Sequence, residues 1–449
     1  NRNSGIVKGA SISGCYAIGS DGRGTLELTS TFGPNNSSLT ADYTLALESD
    51  GTIRFIQYHP SSAPPPCSNA PAGAAADTAT HGEGILKPVL ATTFGVGSFS
   101  GNYAFEFPGQ DLSGKPAALA GVIHANGTTQ SLTPGTCDFN DAGTYGSQSL
   151  SGDFTFTANN IGTAAMTFVV PTKSQITLNF IYFFVSPADL YFIETDADQN
   201  TGKPTNYRLS GEMILQQTSS TFGQTSLAGA SVATGTGVDG SNSSAFAGLL
   251  TSTLCDGNTP VALAYDENDA GTIASPSYSG TCTVSANGRA GFAGLGSSAA
   301  QTRVAVAYLT GTGQGFLLGS DAAVTTGLLE QQSAGISFSS SSIQGGYALS
   351  APFAAEAQVT NLTGQLVADG IANLTGTVDA SDPSGTSTLD QVLTATISAP
   401  APNGRGTMTT NAPVGVPTSL VYYVVSPGNV RAISADSGNQ HPAVILLEH

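Results

Sequence analysis

Asn287-Gly288-Arg289-Ala290-Gly291-Phe292 and Asn403-Gly404-Arg405-Gly406-Thr407-Met408 decide the fold. Asn-Gly between apolar runs is a strong two-residue hairpin signal, because both turn residues of the favoured turn need positive φ. The same signature stands at Asp21-Gly22-Arg23-Gly24, followed by Thr25-Leu26, and more loosely at Asn159-Asn160-Ile161-Gly162, followed by Thr163-Ala164. Each turn is followed downstream by an apolar strand: Tyr43 to Glu48, Phe180 to Val185, Val304 to Leu309, Leu420 to Val425. Recurrence at such spacing marks an internal repeat, and repeats set the architecture.

Working outward, Gly101-Asn102-Tyr103-Ala104-Phe105 matches Gly345-Gly346-Tyr347-Ala348-Leu349. Leu119-Ala120-Gly121 matches Phe246-Ala247-Gly248 and Leu362-Thr363-Gly364. Each copy closes on a short apolar stretch, Met213-Ile214-Leu215-Gln216, Leu328-Leu329-Glu330-Gln331 or Ile445-Leu446-Leu447-Glu448-His449. The expected units are a partial first repeat over 1–96, with a Pro-rich insert at 60–80, and complete repeats over 97–220, 221–335 and 336–449. Apolar residues alternate with period two over short runs bounded by Gly, Pro, Asn and Asp, which is strand patterning. The fold class is all-β: tandem β-sandwich or small β-barrel repeat domains, three complete plus one N-terminal half-unit.

Composition narrows the function classes. The 449 residues carry 13 Lys plus Arg against 31 Asp plus Glu, a net charge of -18 that repels phosphate backbones and anionic lipid. Nucleic acid is therefore not expected as a partner, and no apolar run reaches membrane-span length. Charged residues make up only 10% of the chain, so Ser, Thr, Asn and Gly must supply the polar surface, as suits a secreted or cell-surface protein. Asn1 is preceded by no initiator Met or leader, so any export signal is expected to have been removed or to lie outside these residues. The five cysteines form no Cys-x-x-Cys pair; Cys255 with Cys282 is the expected disulfide, Cys15 with Cys67 the next, and Cys137 is left over.

The run Gly-Asn-Tyr-Ala-Phe, Leu-Ala-Gly, Asp-x-Asn-Asp-x-Gly, Asn-Gly-Arg-Gly-Thr, Val-Ser-Pro and Leu-Leu-Glu-Gln-Gln resembles the tandem repeat of uncharacterised secreted β proteins abundant in acidobacteria. The resemblance covers nearly the whole chain apart from the insert. It implies exported, cell-surface β domains and brings no activity with it. The repeat over 221–335 departs most, with Ala230-Ser231-Val232 in place of Tyr-Ala-Phe.

Three acidic stretches carry possible chemistry. Asp138, Asn140 and Asp141 recur as Asp266, Asn268 and Asp269, and loosely as Asp379 to Asp382; alternate oxygen ligands of this kind can hold calcium. The competing reading is a turn whose Asp and Asn side chains cap their own backbone. Asp196, Asp198 and Asn200 have the one, three, five spacing of a calcium loop, but the Gly is late and no Glu closes the set. Gly-x-Ser-x-Gly is absent and the five His do not recur between repeats, so no catalytic residue is assigned and no cofactor beyond calcium is considered. Aromatic runs such as Tyr182-Phe183-Phe184 and Tyr422-Tyr423 read as core rather than as sugar platforms.

The expected function is a non-enzymatic extracellular structural protein, self-associating into a surface layer or filament through strand-edge or head-to-tail contacts. An adhesin or carbohydrate-binding protein with a cell-surface glycan as partner is the alternative, and a secreted hydrolase the third. A half-unit leaves strand edges that something must cover. The candidates are residues upstream of Asn1, the insert, or the terminal segment Ala443 to Glu448 donated by a neighbouring molecule.

Overall fold

The structure is a computed structural model. It describes residues 11–32, 37–58, 75–76, 82–89, 93–157, 160–169, 175–196, 206–217, 221–239, 242–298, 302–351, 360–382 and 386–449. Most of the Pro-rich insert, with Cys67, lies outside them, as do Asp198 and Asn200. The described residues hold 31 strands and two single 3₁₀ turns, Val96–Ser98 and Ser340–Ser342. No helix there is long and apolar enough to cross a membrane.

The strands fall into four sheets. The first comprises β1 (Ser11–Ile18), β2 (Arg23–Phe32), β3 (Ser37–Leu47), β4 (Ile53–Tyr58), β5 (Ala75–Ala76) and β6 (Glu83–Leu86). It is open: the antiparallel path runs β1-β2-β3-β4-β6, and β5 pairs alongside β3. The second is β7 (Gly101–Gln110), β8 (Pro116–Asn126), β9 (Ser131–Asp141), β10 (Thr144–Phe156), β11 (Ile161–Val169), β12 (Gln175–Ser186), β13 (Asp189–Glu194) and β14 (Arg208–Leu215). These close into a barrel, β14 pairing with β7. The third is β15 (Gly229–Asp239), β16 (Asn242–Ser252), β17 (Asp256–Asp269), β18 (Thr272–Ala274), β19 (Ser277–Val284), β20 (Arg289–Ala293), β21 (Val306–Gly311), β22 (Gln314–Leu318) and β23 (Thr326–Gln331). Its path from β16 to β17 is closed by a further β16–β17 pairing. The fourth, a closed barrel, is β24 (Gln344–Ser350), β25 (Asn361–Asp369), β26 (Asn373–Ser381), β27 (Ser387–Ile397), β28 (Arg405–Thr410), β29 (Ser419–Ser426), β30 (Asn429–Ser434) and β31 (Val444–Glu448). The repeat is thus a barrel, not a sandwich.

The chain groups into two compact units. One comprises Asn1–Pro88, Asn268–Ile273 and Ile336–His449, the other Val89–Glu267 and Ala274–Gly335.

The terminal strand is not free for donation. β31 pairs with β24 and with β30, and Ile445 and Leu447 point into that barrel's core. Its apolar alternation, which makes it an attractive donor in the sequence, is what its own barrel needs for closure.

The Gly-Thr step of the repeat has a packing reason. Gly162 stands opposite Tyr182 and Gly406 opposite Tyr422, and a Cβ on either glycine would lie 2.0 or 2.3 Å from the tyrosine ring. Each ring lies over the glycine and reaches a backbone carbonyl, Thr155 O at 2.9 Å and Ser398 O at 2.6 Å. In the divergent repeat the same cross-strand pair is Ala290 with Ala307. One small residue per pair makes room for a large partner, so the two positions change together.

Each complete barrel is also filled from one end by an apolar residue two places ahead of its first conserved glycine: Phe99, Leu227 and Ile343, all at most 3% exposed. Cys255 and Cys282 form a disulfide across the third sheet, with both sulfurs buried, and Cys15 is disulfide-bonded. Cys137 is a buried free thiol. Replacing Cys255 and Cys282 by Ser is expected to cost about 3.5 kcal/mol through loss of a 27-residue crosslinked loop. Urea melts that leave the midpoint unmoved would contradict this.

Candidate functional site

The polar residues singled out in the sequence converge where one barrel meets another. In the second unit, the two-residue turn Ala142-Gly143 between β9 and β10 has φ of 47° and 91°, a left-handed pair that favours glycine at its second place. The Asn140 carboxamide oxygen accepts the Gly143 N–H at 2.9 Å, and its NH₂ donates to Gly319 O and Asp321 O, both at 2.9 Å. In the first unit Ala270 and Gly271 repeat the turn at 48° and 89°. There Asn268 accepts the Gly271 N–H at 2.8 Å and donates to Ser434 O at 3.3 Å and Asp436 O at 3.2 Å. Both amides are 0% exposed. Asn is required because a carboxylate could not donate to two carbonyls. In the second unit the motif is a hook that ties the β9–β10 hairpin tip to the neighbouring barrel.

Asp138 anchors the second contact. It is 0% exposed, and Arg289 grips it with both arms of its guanidinium, Nε to Oδ2 at 2.7 Å and Nη2 to Oδ1 at 2.9 Å. Tyr145 donates its hydroxyl to Oδ1 at 2.8 Å, and Tyr308 donates to Oδ2. Burial would by itself weaken the charge on Arg289, but the bonds to Asp138 hold its pKa above the ordinary range. Burial, together with the Asp138 charge, pushes both tyrosine hydroxyls well up, so they stay protonated as donors. The Asn-Gly-Arg turn aims this arginine: Asn287 Oδ1 accepts the Arg289 N–H, and Gly288 takes φ of 89°. Asp21 and Asn403 cap Arg23 and Arg405 in the same way. In the first unit Arg23 pairs with Asp390 and lies close to Asp379, whose carboxyl is raised by burial despite the Asp390 N–H at 2.7 Å.

An apolar patch underlies the clasp. Ala104, Ala118, Ala120 and Val122 on the outer face of β7 and β8 meet Val306, Tyr308, Phe316 and Leu318 on the outer face of β21 and β22. Glu106 is buried at the edge of this patch, accepting the Gly327 N–H at 3.3 Å. Burial raises its pKa well above 4.5, the Gly327 bond partly offsets this, and Glu212 across the strand pair raises it further. A carboxyl whose folded pKa is raised stabilises the fold below the unfolded value, and that contribution is lost as pH rises through the folded pKa. The second unit is therefore expected to lose stability as pH climbs above about 4.5. Glu106→Gln should flatten that dependence, and identical pH profiles for the two proteins would count against it.

The remaining expected ligands are engaged elsewhere. Asp141 accepts the Tyr207 hydroxyl at 2.9 Å, and Asp266 the Ser275 hydroxyl at 2.6 Å. Asp269 also has a partner. Asp196 accepts from Asn179 and Asn206; its expected companions Asp198 and Asn200 lie outside the described residues. Among the described residues no group of three His, Cys, Asp or Glu is placed to hold a metal ion. Of the aromatic runs, Tyr182, Phe184, Tyr422 and Tyr423 are buried, whereas Phe183 is 38% exposed. Arg289, Tyr308 and Glu106 were not among the candidates; the signal for the arginine was its recurrence directly after three of the four turns.

No family model and no curated protein matches this chain.

Proposed function

We propose that the protein is a non-enzymatic structural protein of the cell exterior, an array of β barrels that self-associates head to tail into a filament or surface layer. One observation carries this reading. The outer face of β12 and β13 holds Ile181, Phe183, Tyr191 and Ile193 in the register at which β21 and β22 hold Val306, Tyr308, Phe316 and Leu318. The latter four are at most 4% exposed beneath a neighbouring barrel, whereas Phe183 and Ile193 are 38% and 51% exposed. The barrel over 97–220 thus presents the same apolar face without a cover, and exposed patches of this kind favour association. Ile161 stands where the other repeats have arginine, so the contact is apolar and needs no aspartate partner. The disulfide and the low charge are in keeping with export.

Negative-stain microscopy and sedimentation test this. Regular fibres are expected from the native material, and Phe183→Glu with Ile193→Lys should leave monomers with unchanged circular dichroism. Isolated rods from the unaltered protein at high concentration would defeat the assembly reading, and glycan-array binding by such rods would favour an adhesin.

A further inference from the structure

We infer that the contact between the first sheet and the last barrel, closed within one chain, is also made between chains, the first sheet of one copy seating on β24–β26 of a second copy. This rests on the assembly reading and names a joint for it.

Register shows that this contact repeats the one in the second unit. There Arg289 pairs with Tyr308 and Tyr308 with Phe316, and Val306 with Leu318 forms the next row of the covered face. In the first unit Arg23 pairs with Ala46 and Ala46 with Arg54, and Thr44 with Ile56 forms the next row. On the covering side Ala348 pairs with Gln365 and Thr363 with Asp379, as Ala104 pairs with Val122 and Ala120 with Asp138. β24 and β25 pack on β3 and β4, and β26 on β4, as β7 and β8 pack on β21 and β22.

The construction is shared, but the filling is not. Val306, Tyr308 and Phe316 give way to Thr44, Ala46 and Arg54, and Ala120 and Val122 to Thr363 and Gln365. Arg54 bonds Glu48 within the sheet and reaches across to Glu448, which also accepts from Arg431 at 2.7 Å. Gln365 donates to Leu47 O at 2.7 Å, and Arg23 pairs with Asp390. Thr363 is 0% and Arg54 8% exposed, so the contact is closed, but by polar groups. Permanent interfaces are mostly apolar, whereas polar ones suit partners that also exist apart. A buried ion pair gains little over its hydrated parts, so this contact is easier to open than the apolar patch of the second unit.

Chain connection points the same way. The joined segments are 1–88 and 336–449, with residues 89–335 between them in the chain. The barrels over 97–220 and 221–335 follow one another directly, so their contact is made between chain neighbours. A contact closed across so long a stretch competes with the same contact offered by a nearby copy. Its two surfaces differ, so exchange between copies propagates head to tail.

Mixed chains test this. Ser49→Cys and His449→Cys proteins are combined in equal amounts, held at high concentration and then oxidised. The Ser49 hydroxyl donates to His449 O at 2.9 Å, so the two thiols are held together only where one chain's sheet sits on the other's barrel. Cys137 is buried and leaves the readout clear. Non-reducing gels should show the mixed dimer in excess of both same-variant dimers, and a mixed dimer no more abundant than these would overturn the inference. The double variant, oxidised when dilute, should close within one chain, which shows that the pair can bond. If it does not, Arg23→Cys and Asp390→Cys, joined by a bismaleimide, take its place and are read in the same way. Polymers without mixed dimers would sink this inference and leave the assembly reading standing, whereas mixed dimers without polymers would do the reverse.

Discussion

Asp138→Ala should destabilise the second unit by about 3–5 kcal/mol, because it strands a guanidinium and two tyrosine hydroxyls that all donate to this one buried carboxylate. Asp138 is fully buried, and Arg289, Tyr145 and Tyr308 all donate to it. The cost comes from uncompensated desolvation rather than from the Coulomb energy of the pair. Asp138→Ala combined with Arg289→Met should therefore recover much of the loss, since an apolar isostere at a buried ion pair is often neutral. Guanidinium denaturation of the single and double variants gives the comparison. A single variant within about 1 kcal/mol of the parent, or a double variant worse than the sum of its singles, would show that the clasp does not work this way.

A similar loss is expected deep in one barrel. Phe99 is 0% exposed and its ring sits 4.7 Å from Phe154, 5.1 Å from Tyr103 and 5.3 Å from Tyr182, with Phe184 and Phe192 at 6.3 Å. Phe99→Ala should cost about 3–5 kcal/mol by opening a cavity among rings held by strands that cannot collapse inward. Phe99→Leu should cost less, about 1.5 kcal/mol, since Leu227 and Ile343 fill the equivalent place in the other complete barrels. Thermal melts of the two variants test the order, and equal losses would mean that aromatic contacts rather than volume hold this end closed.

The turn chemistry that reveals the repeat is local, and so it was legible. Asn-Gly-Arg and Asp-Ala-Gly place their glycines at positive φ whatever surrounds them, and the strand patterning between these turns gives the all-β class. The partners of Asp138, Asn140 and Asp141 are not legible in the sequence, for a reason that lies beyond the motif. A carboxylate next to an amide has the same local sequence whether it faces a cation, solvent or another barrel, and Gly319, Asp321 and Arg289 lie about 150 to 180 residues further along the chain.

Strand content and turn positions follow from the sequence alone, because each depends on residues within a few positions of one another. Three things were decided by tertiary structure. Closure into barrels depends on which strand meets the first one, and β14 with β7 or β31 with β24 is a long-range pairing that periodicity cannot distinguish from a sandwich. The fate of the last strand depends on the same closure, which takes it into its own barrel rather than a neighbour's. The outward residues of β7, β8, β21 and β22 read as ordinary apolar strand positions. Only the stacking of one barrel on another tells that their outer faces are buried and that those of Phe183 and Ile193 are open, because burial of a strand's outer side is a property of what packs on it, not of the strand.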